Sequence, residues 1–153
     1  MIYRKTLTEY YAIGDLQHQA LALSDIGTAF ASKGCYSEAL VHHQKSAGLA
    51  ESIGDRRQFA AALCGTGDAY RGLGSYGAAT ENYDKAHRIA AEIEAPYLNG
   101  KALYGMAETL FITQGPAAAK IYWREAHDIF RQLGVPEAAM VELRLYGSGA
   151  TAS

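Results

Sequence analysis

Apolar residues along this chain fall three and four apart, the spacing of a buried helix face rather than the alternation of a strand. Ala20, Leu23, Gly27 and Phe30 make one stripe, and Ala79, Tyr83, Ala86 and Ile89 make another. The stripes return at a fixed interval of forty residues: Leu23, Gly27, Phe30, Gly34, Tyr36 and Ala39 reappear as Leu63, Gly67, Tyr70, Gly74, Tyr76 and Ala79. Ile13-Gly14-Asp15 reappears as Ile53-Gly54-Asp55 and, altered, as Ile93-Glu94-Ala95. A period of this length marks a stacked array of helical units, in which each repeat buries its apolar face against its neighbours. Such arrays present extended binding surfaces.

The period predicts two helices per repeat. First helices are expected over 15–33, 55–73 and 96–114, and second helices over 37–53, 76–94 and 116–133. Gly34 and Gly74 stand where a helix ends in a left-handed residue. Asp15 and Asp55 are candidate N-caps, and Pro96 and Pro136 fall in a first turn, where a missing N–H costs little. Small residues at Gly27, Gly67 and Ala107, and at Ala39, Ala79 and Ala119, mark close helix crossings. Phe30, Tyr70, Leu110, Tyr83 and Trp123 fill the flanking space.

The fold class is therefore all-α, a right-handed superhelix of antiparallel helix pairs. One domain over 1–146 divides into an orphan second helix at 1–13, repeats at 15–54, 55–94 and 95–134, and a capping helix at 136–146, followed by a disordered tail at 147–153. Residues 1–13 align with the second helix of a missing upstream repeat. That reads the chain as a piece of a longer protein; a short protein with a divergent N-terminal cap is the alternative. Tyr3, Tyr10 and Tyr11 would cover the orphan helix, whose apolar face would promote self-association.

The motif Leu-x3-Gly-x2-Phe/Tyr-x3-Gly-x-Tyr-x2-Ala-x3-aromatic-x2-Ala is complete in the second repeat, as Leu63, Gly67, Tyr70, Gly74, Tyr76, Ala79, Tyr83 and Ala86. This skeleton resembles the tetratricopeptide repeat over about residues 15–133. The first repeat departs from it at His43 and Ser46, and the third at Ala107 and Leu110. The resemblance implies a non-catalytic interaction module. A closer likeness is carried by Ile53-Gly54-Asp55-Arg56, Gly67-Asp68-Ala69-Tyr70, Pro116-Ala117-Ala118-Ala119-Lys120, Trp123-Arg124-Glu125-Ala126 and Leu133-Gly134-Val135-Pro136-Glu137-Ala138. These phrases resemble the C-terminal repeat domain of the large SARP-type transcriptional activators of actinobacterial antibiotic pathways. That likeness implies a repeat domain of a regulator, binding a protein partner or another domain of its parent chain. A sensor for a small-molecule effector or peptide in the same groove, and a standalone adaptor, remain open.

In a two-helix solenoid the first helices line the concave face. Register places Asp25, Thr28, Asp68, Arg71, Lys101, Tyr104, Glu108 and Phe111 on the groove floor, and these are the candidate partner-binding residues. Thr28, Asp68 and Glu108 share one repeat position, a ladder able to meet basic or amide groups of an extended peptide. Peptide-binding relatives often carry an Asn one place before the apolar-Gly pair; here Asp25, Gly65 and Gly105 hold that place. The bare Gly65 and Gly105 are expected to widen the groove.

Charge and chemistry narrow the classes further. Lys+Arg is 14 and Asp+Glu is 16, for a net charge of −2, with no basic excess to wrap nucleic acid. Cys35 and Cys64 read as free thiols of a reducing compartment. With no secretory signal and no apolar run of membrane-spanning length, the expected location is cytoplasmic, with no membrane partner. His42 and His43 point to different helix faces; His87 and His127 lie one period apart and would stack across repeats. Neither pair completes a metal-ligand set. Gly72-Leu73-Gly74 is not a phosphate loop, and no residue set nominates a catalytic group or a cofactor site.

Overall fold

Every helical hairpin but one closes with the same backbone device. Residues 34, 54, 74, 94 and 134 have positive φ, and at each the N–H bonds the carbonyl three residues back while the next N–H bonds five back. At the first of these turns Gly34 N donates to Ala31 O at 3.0 Å and Cys35 N to Phe30 O at 2.9 Å. This is the double bond pattern that satisfies the last carbonyls of a helix and needs a left-handed residue. Glycine supplies it at four turns; Glu94, at φ 54°, supplies it at the fifth.

The computed structural model describes residues 2–147, with side chains described from residue 12 onward. It comprises α1 (Ile2–Ser32), α2 (Tyr36–Ser52), α3 (Arg56–Gly72), α4 (Tyr76–Glu92), α5 (Pro96–Gln114), α6 (Pro116–Leu133) and α7 (Glu137–Tyr146), with no strand among the described residues. Each helix packs on the next in sequence, and α3 also touches both of its neighbouring first helices, α1 and α5. Asp55 caps α3 as expected, its carboxylate accepting Gln58 N–H at 3.0 Å. Pro96 and Pro116 open their helices in the first turn.

One expected boundary is absent. α1 runs unbroken through Gly14 and Asp15, so residues 2–13 extend the first helix of repeat one and Asp15 caps nothing. Gly14 keeps a helical φ, unlike Gly54, and its carbonyl accepts both in the helix and from His18 Nδ1 at 2.8 Å. Each helical residue adds a backbone bond, so the ladder continues unless a reversal buries enough surface to offset it. The side chains of Tyr3, Tyr10 and Tyr11 and the tail beyond Gly147 lie outside the described residues.

The core is a column of small residues keyed by rings. Ala39, Ala79 and Ala119 are fully buried at the equivalent position of each second helix. The Tyr83 ring, also fully buried, lies between Gly67 and Gly105, where an added Cβ would come within 3 Å of its carbons. One repeat earlier the His43 imidazole does the same between Gly27 and Gly65. The histidine that departs from the aromatic motif therefore performs the aromatic's packing role. The departure at Ser46 is equally well accommodated, its Oγ donating to Ala20 O at 2.6 Å in a fully buried setting. In repeat three bulk is exchanged: Phe130 stands where Ala50 and Ala90 stood, and its ring fills the space over Gly100, which replaces Ala20 and Ala60.

Candidate functional site

The stacking of α1, α3, α5 and α7 opens two adjoining hollows along the first helices. One, of about 500 Å³, is walled by Thr28 and Ser32 of α1, Tyr36 of α2, Asp68 and Arg71 of α3, and Glu108 and Ile112 of α5. The other, of about 370 Å³, is walled by Asp68, Arg71, Tyr97, Lys101, Tyr104, Phe130, Glu137 and Met140. Asp68 and Arg71 line both. Six of the eight residues placed by register thus meet around one junction: Thr28, Asp68, Arg71, Lys101, Tyr104 and Glu108. Asp25 is exposed on α1 and lines neither hollow. Phe111 is also outside both, its ring 5.5 Å from that of Trp123.

The acids of the expected ladder are already engaged. The Tyr83 hydroxyl donates to Asp68 Oδ1, and Arg71 Nη2 lies 3.7 Å from the same oxygen. Glu108 is fully committed: Oε1 accepts from the Trp123 indole at 3.1 Å and Oε2 from Arg144 Nη2 at 2.7 Å. Its side chain is only 13% exposed. The shared position therefore first holds the ring of its own second helix, and only then faces the groove. Tyr83 responds as a buried phenol beside a carboxylate must: burial, then the charge of Asp68, push its pKa up. Thr28 instead bonds its own helix, donating to Ser24 O at 3.0 Å.

The cations are held in aromatic settings. Arg71 stands 6.0 Å from the centre of the Tyr83 ring, and Lys101 Nζ 5.8 Å from the centre of the Tyr97 ring. Such contacts fix a long side chain without neutralising it. Arg71 Nη1 is buried and has no hydrogen-bond partner within the protein, and neither has Glu137 Oε2 across the second hollow. Cys64 lies in the same wall, buried, with its thiol pushed up to about 12 by desolvation. It is thus protonated and unreactive at neutral pH.

Two expectations are corrected here. Gly65 and Gly105 do not widen the groove, because the space their missing side chains leave is filled by His43 and Tyr83 of the preceding repeat. His87 and His127 do not stack on each other; His87 bonds Asn99 of α5, and His127 Nε2 bonds Glu142 of α7 at 2.9 Å. Each of these two histidines ties its second helix to the next first helix instead. Register also missed four residues that line the second hollow, Tyr97, Phe130, Glu137 and Met140, as well as Arg144, which braces Glu108. Tyr97 and Glu137 lie one period apart, and the Tyr97 hydroxyl donates to Glu137 Oε1 at 2.7 Å. That periodic offset was the available signal.

Among the described residues no three His, Cys, Asp or Glu side chains converge, and no helix is long and apolar enough to cross a membrane. The tetratricopeptide repeat family model matches residues 18–92. No curated protein matches the chain. Repeats of this kind form protein-interaction modules and are typically non-catalytic scaffolds. That match spans the first two helix pairs, and the same packing continues through α5, α6 and α7, so the fold is an all-α solenoid of the tetratricopeptide-repeat type.

Proposed function

We propose that this chain is the repeat domain of a transcriptional regulator and docks a protein partner, or another domain of its parent chain, on the concave face of α1, α3 and α5. The observation that carries the reading is the continuous groove in which Arg71 joins two hollows while retaining an unpaired guanidinium N–H. Lys101 and Tyr104 extend that surface towards α7, and Thr28 and Ser32 extend it towards α2. The groove sets charged residues among aromatic and apolar ones, as suits a partner that comes and goes rather than a permanent subunit. The regulator assignment is supported by the sequence likeness of Ile53–Arg56, Gly67–Tyr70 and Leu133–Ala138 to SARP-type repeat domains.

The test is quantitative affinity capture from an actinobacterial extract, comparing the unmodified chain with Arg71→Glu, Lys101→Glu and the outer-face control Lys120→Glu. The two groove changes should each release the same partners, and the control should retain them. A regulator domain that binds DNA among the groove-dependent partners supports the assignment. Partners indifferent to both groove changes contradict the docking surface.

A further inference from the structure

The second hollow is built differently from the rest of the groove. It is lined by Arg71 on α3 and Glu137 on α7, partly exposed side chains of opposite charge that each keep one atom buried and unpaired within the protein, Nη1 of Arg71 and Oε2 of Glu137. They form no ion pair with each other within 4.0 Å. Their other atoms are occupied. Arg71 Nη2 faces Asp68, and Glu137 Oε1 accepts from Tyr97. The hydrogen bond from Tyr97 holds the Glu137 carboxyl below its ordinary pKa, so it is an anion at neutral pH. The same wall carries apolar and aromatic surface from Tyr97, Tyr104, Phe130 and Met140, together with the charges of Asp68 and Lys101.

A buried polar atom without a partner is costly, and two such atoms of opposite charge that do not meet mark a place for a bridging group. The volume of about 370 Å³ falls within the usual range for small-molecule sites. We propose that this hollow binds a small zwitterion with an apolar body: an apolar or aromatic α-amino acid, free or as an unblocked dipeptide. Its carboxylate meets Arg71, aided by the positive charge of Lys101. Its ammonium meets Glu137, and its side chain lies along Tyr97, Tyr104 and Met140. The site does not depend on the protein-partner reading, since it uses one end of the groove and needs no macromolecule. Because Arg71 also belongs to the neighbouring hollow, occupancy would couple to whatever docks there.

Calorimetric titration of the full chain tests this with L-phenylalanine, L-leucine and the dipeptide Gly-Phe as probes, beside L-phenylalaninamide and N-acetyl-L-phenylalanine. At least one zwitterion should bind at millimolar concentration or better, and blocking either end should weaken binding by about tenfold, as expected for loss of one charged hydrogen bond. Binding by Gly-Phe alone assigns the site to dipeptides; binding by the free acids assigns it to amino acids. Glu137→Gln should abolish the penalty for N-acetylation and keep the penalty for amidation, and Arg71→Gln should do the reverse. Absence of binding by every zwitterion overturns the proposal, as does equal binding of blocked and unblocked probes by the unmodified chain. That second result needs no variant to fold.

Discussion

Alanine at Gly105 measures how tightly the repeats are keyed together. An added Cβ would lie within 2.8 Å of three carbons of the Tyr83 ring, where carbon atoms normally rest about 3.5–4.0 Å apart. The ring must therefore move by about 1 Å, and it has little room. It is fully buried, Gly67 bounds it on the α3 side, and its hydroxyl is tied to Asp68. Overpacking of this kind costs about 3 kcal/mol at the upper end of its usual range. Replacing a helical glycine returns about 1 kcal/mol. The net loss is about 2 kcal/mol, a fall in Tm of about 4–8 °C for a chain of this size. Gly48→Ala is the control, since Gly48 is exposed within α2 with nothing within 4 Å of its added Cβ; it should gain about 0.5–1 kcal/mol. Urea unfolding followed by helical circular dichroism reads both. Equal or greater stability in Gly105→Ala would refute the keyed-ring account of the core.

Glu94 occupies a left-handed turn position that glycine fills at the four equivalent turns, so Glu94→Gly should stabilise the chain by about 1 kcal/mol; a lower Tm would contradict the strain. Burial holds His43 below its ordinary pKa of 6.5, with the charge of Asp68 acting in the opposite sense. The folded chain then binds fewer protons than the unfolded one below that pH, so the His43 contribution is complete above 6.5 and is lost as pH falls through it. His43→Phe should lessen the difference in stability between about pH 7.5 and about pH 5.5, and an unchanged difference would count against a neutral buried imidazole. Glu108→Ala strands the Trp123 indole N–H and should cost about 1–3 kcal/mol. The chain's single tryptophan reports it through a changed emission spectrum, whereas Glu108→Gln should leave the emission nearly unaltered.

Positions set by backbone chemistry were legible in the sequence. Gly34 and Gly74 end their helices in left-handed turns, Asp55 caps and Pro96 opens, because each depends on the residue and its near neighbours. Gly14-Asp15 misled for the same reason: the triplet matches Ile53-Gly54-Asp55, but a reversal also needs a helix to fold back on, which the local sequence does not encode. The site was half legible. Register gathered Asp68, Arg71, Lys101 and Glu108, yet not that Asp68 and Glu108 hold Tyr83 and Trp123. Those partners lie on the other helix of the pair, at the same offset of 15 residues in both repeats. The constancy of that offset was readable; its meaning required knowing which faces meet. Tyr97 and Glu137 escaped because the second hollow is completed by α7, whose Glu137 and Arg144 bond Tyr97 and Glu108 of α5.

The concave face is the central claim, and site-specific photo-crosslinking inside cells addresses it directly. A crosslinking amino acid at position 101 lies in the groove, and one at position 121 lies on the outer side of α6, where Ile121 is 61% exposed. Position 101 should capture a partner that position 121 does not, and Arg71→Glu should abolish the capture. Equal capture from 121, or capture from 101 that survives Arg71→Glu, would place the binding surface elsewhere.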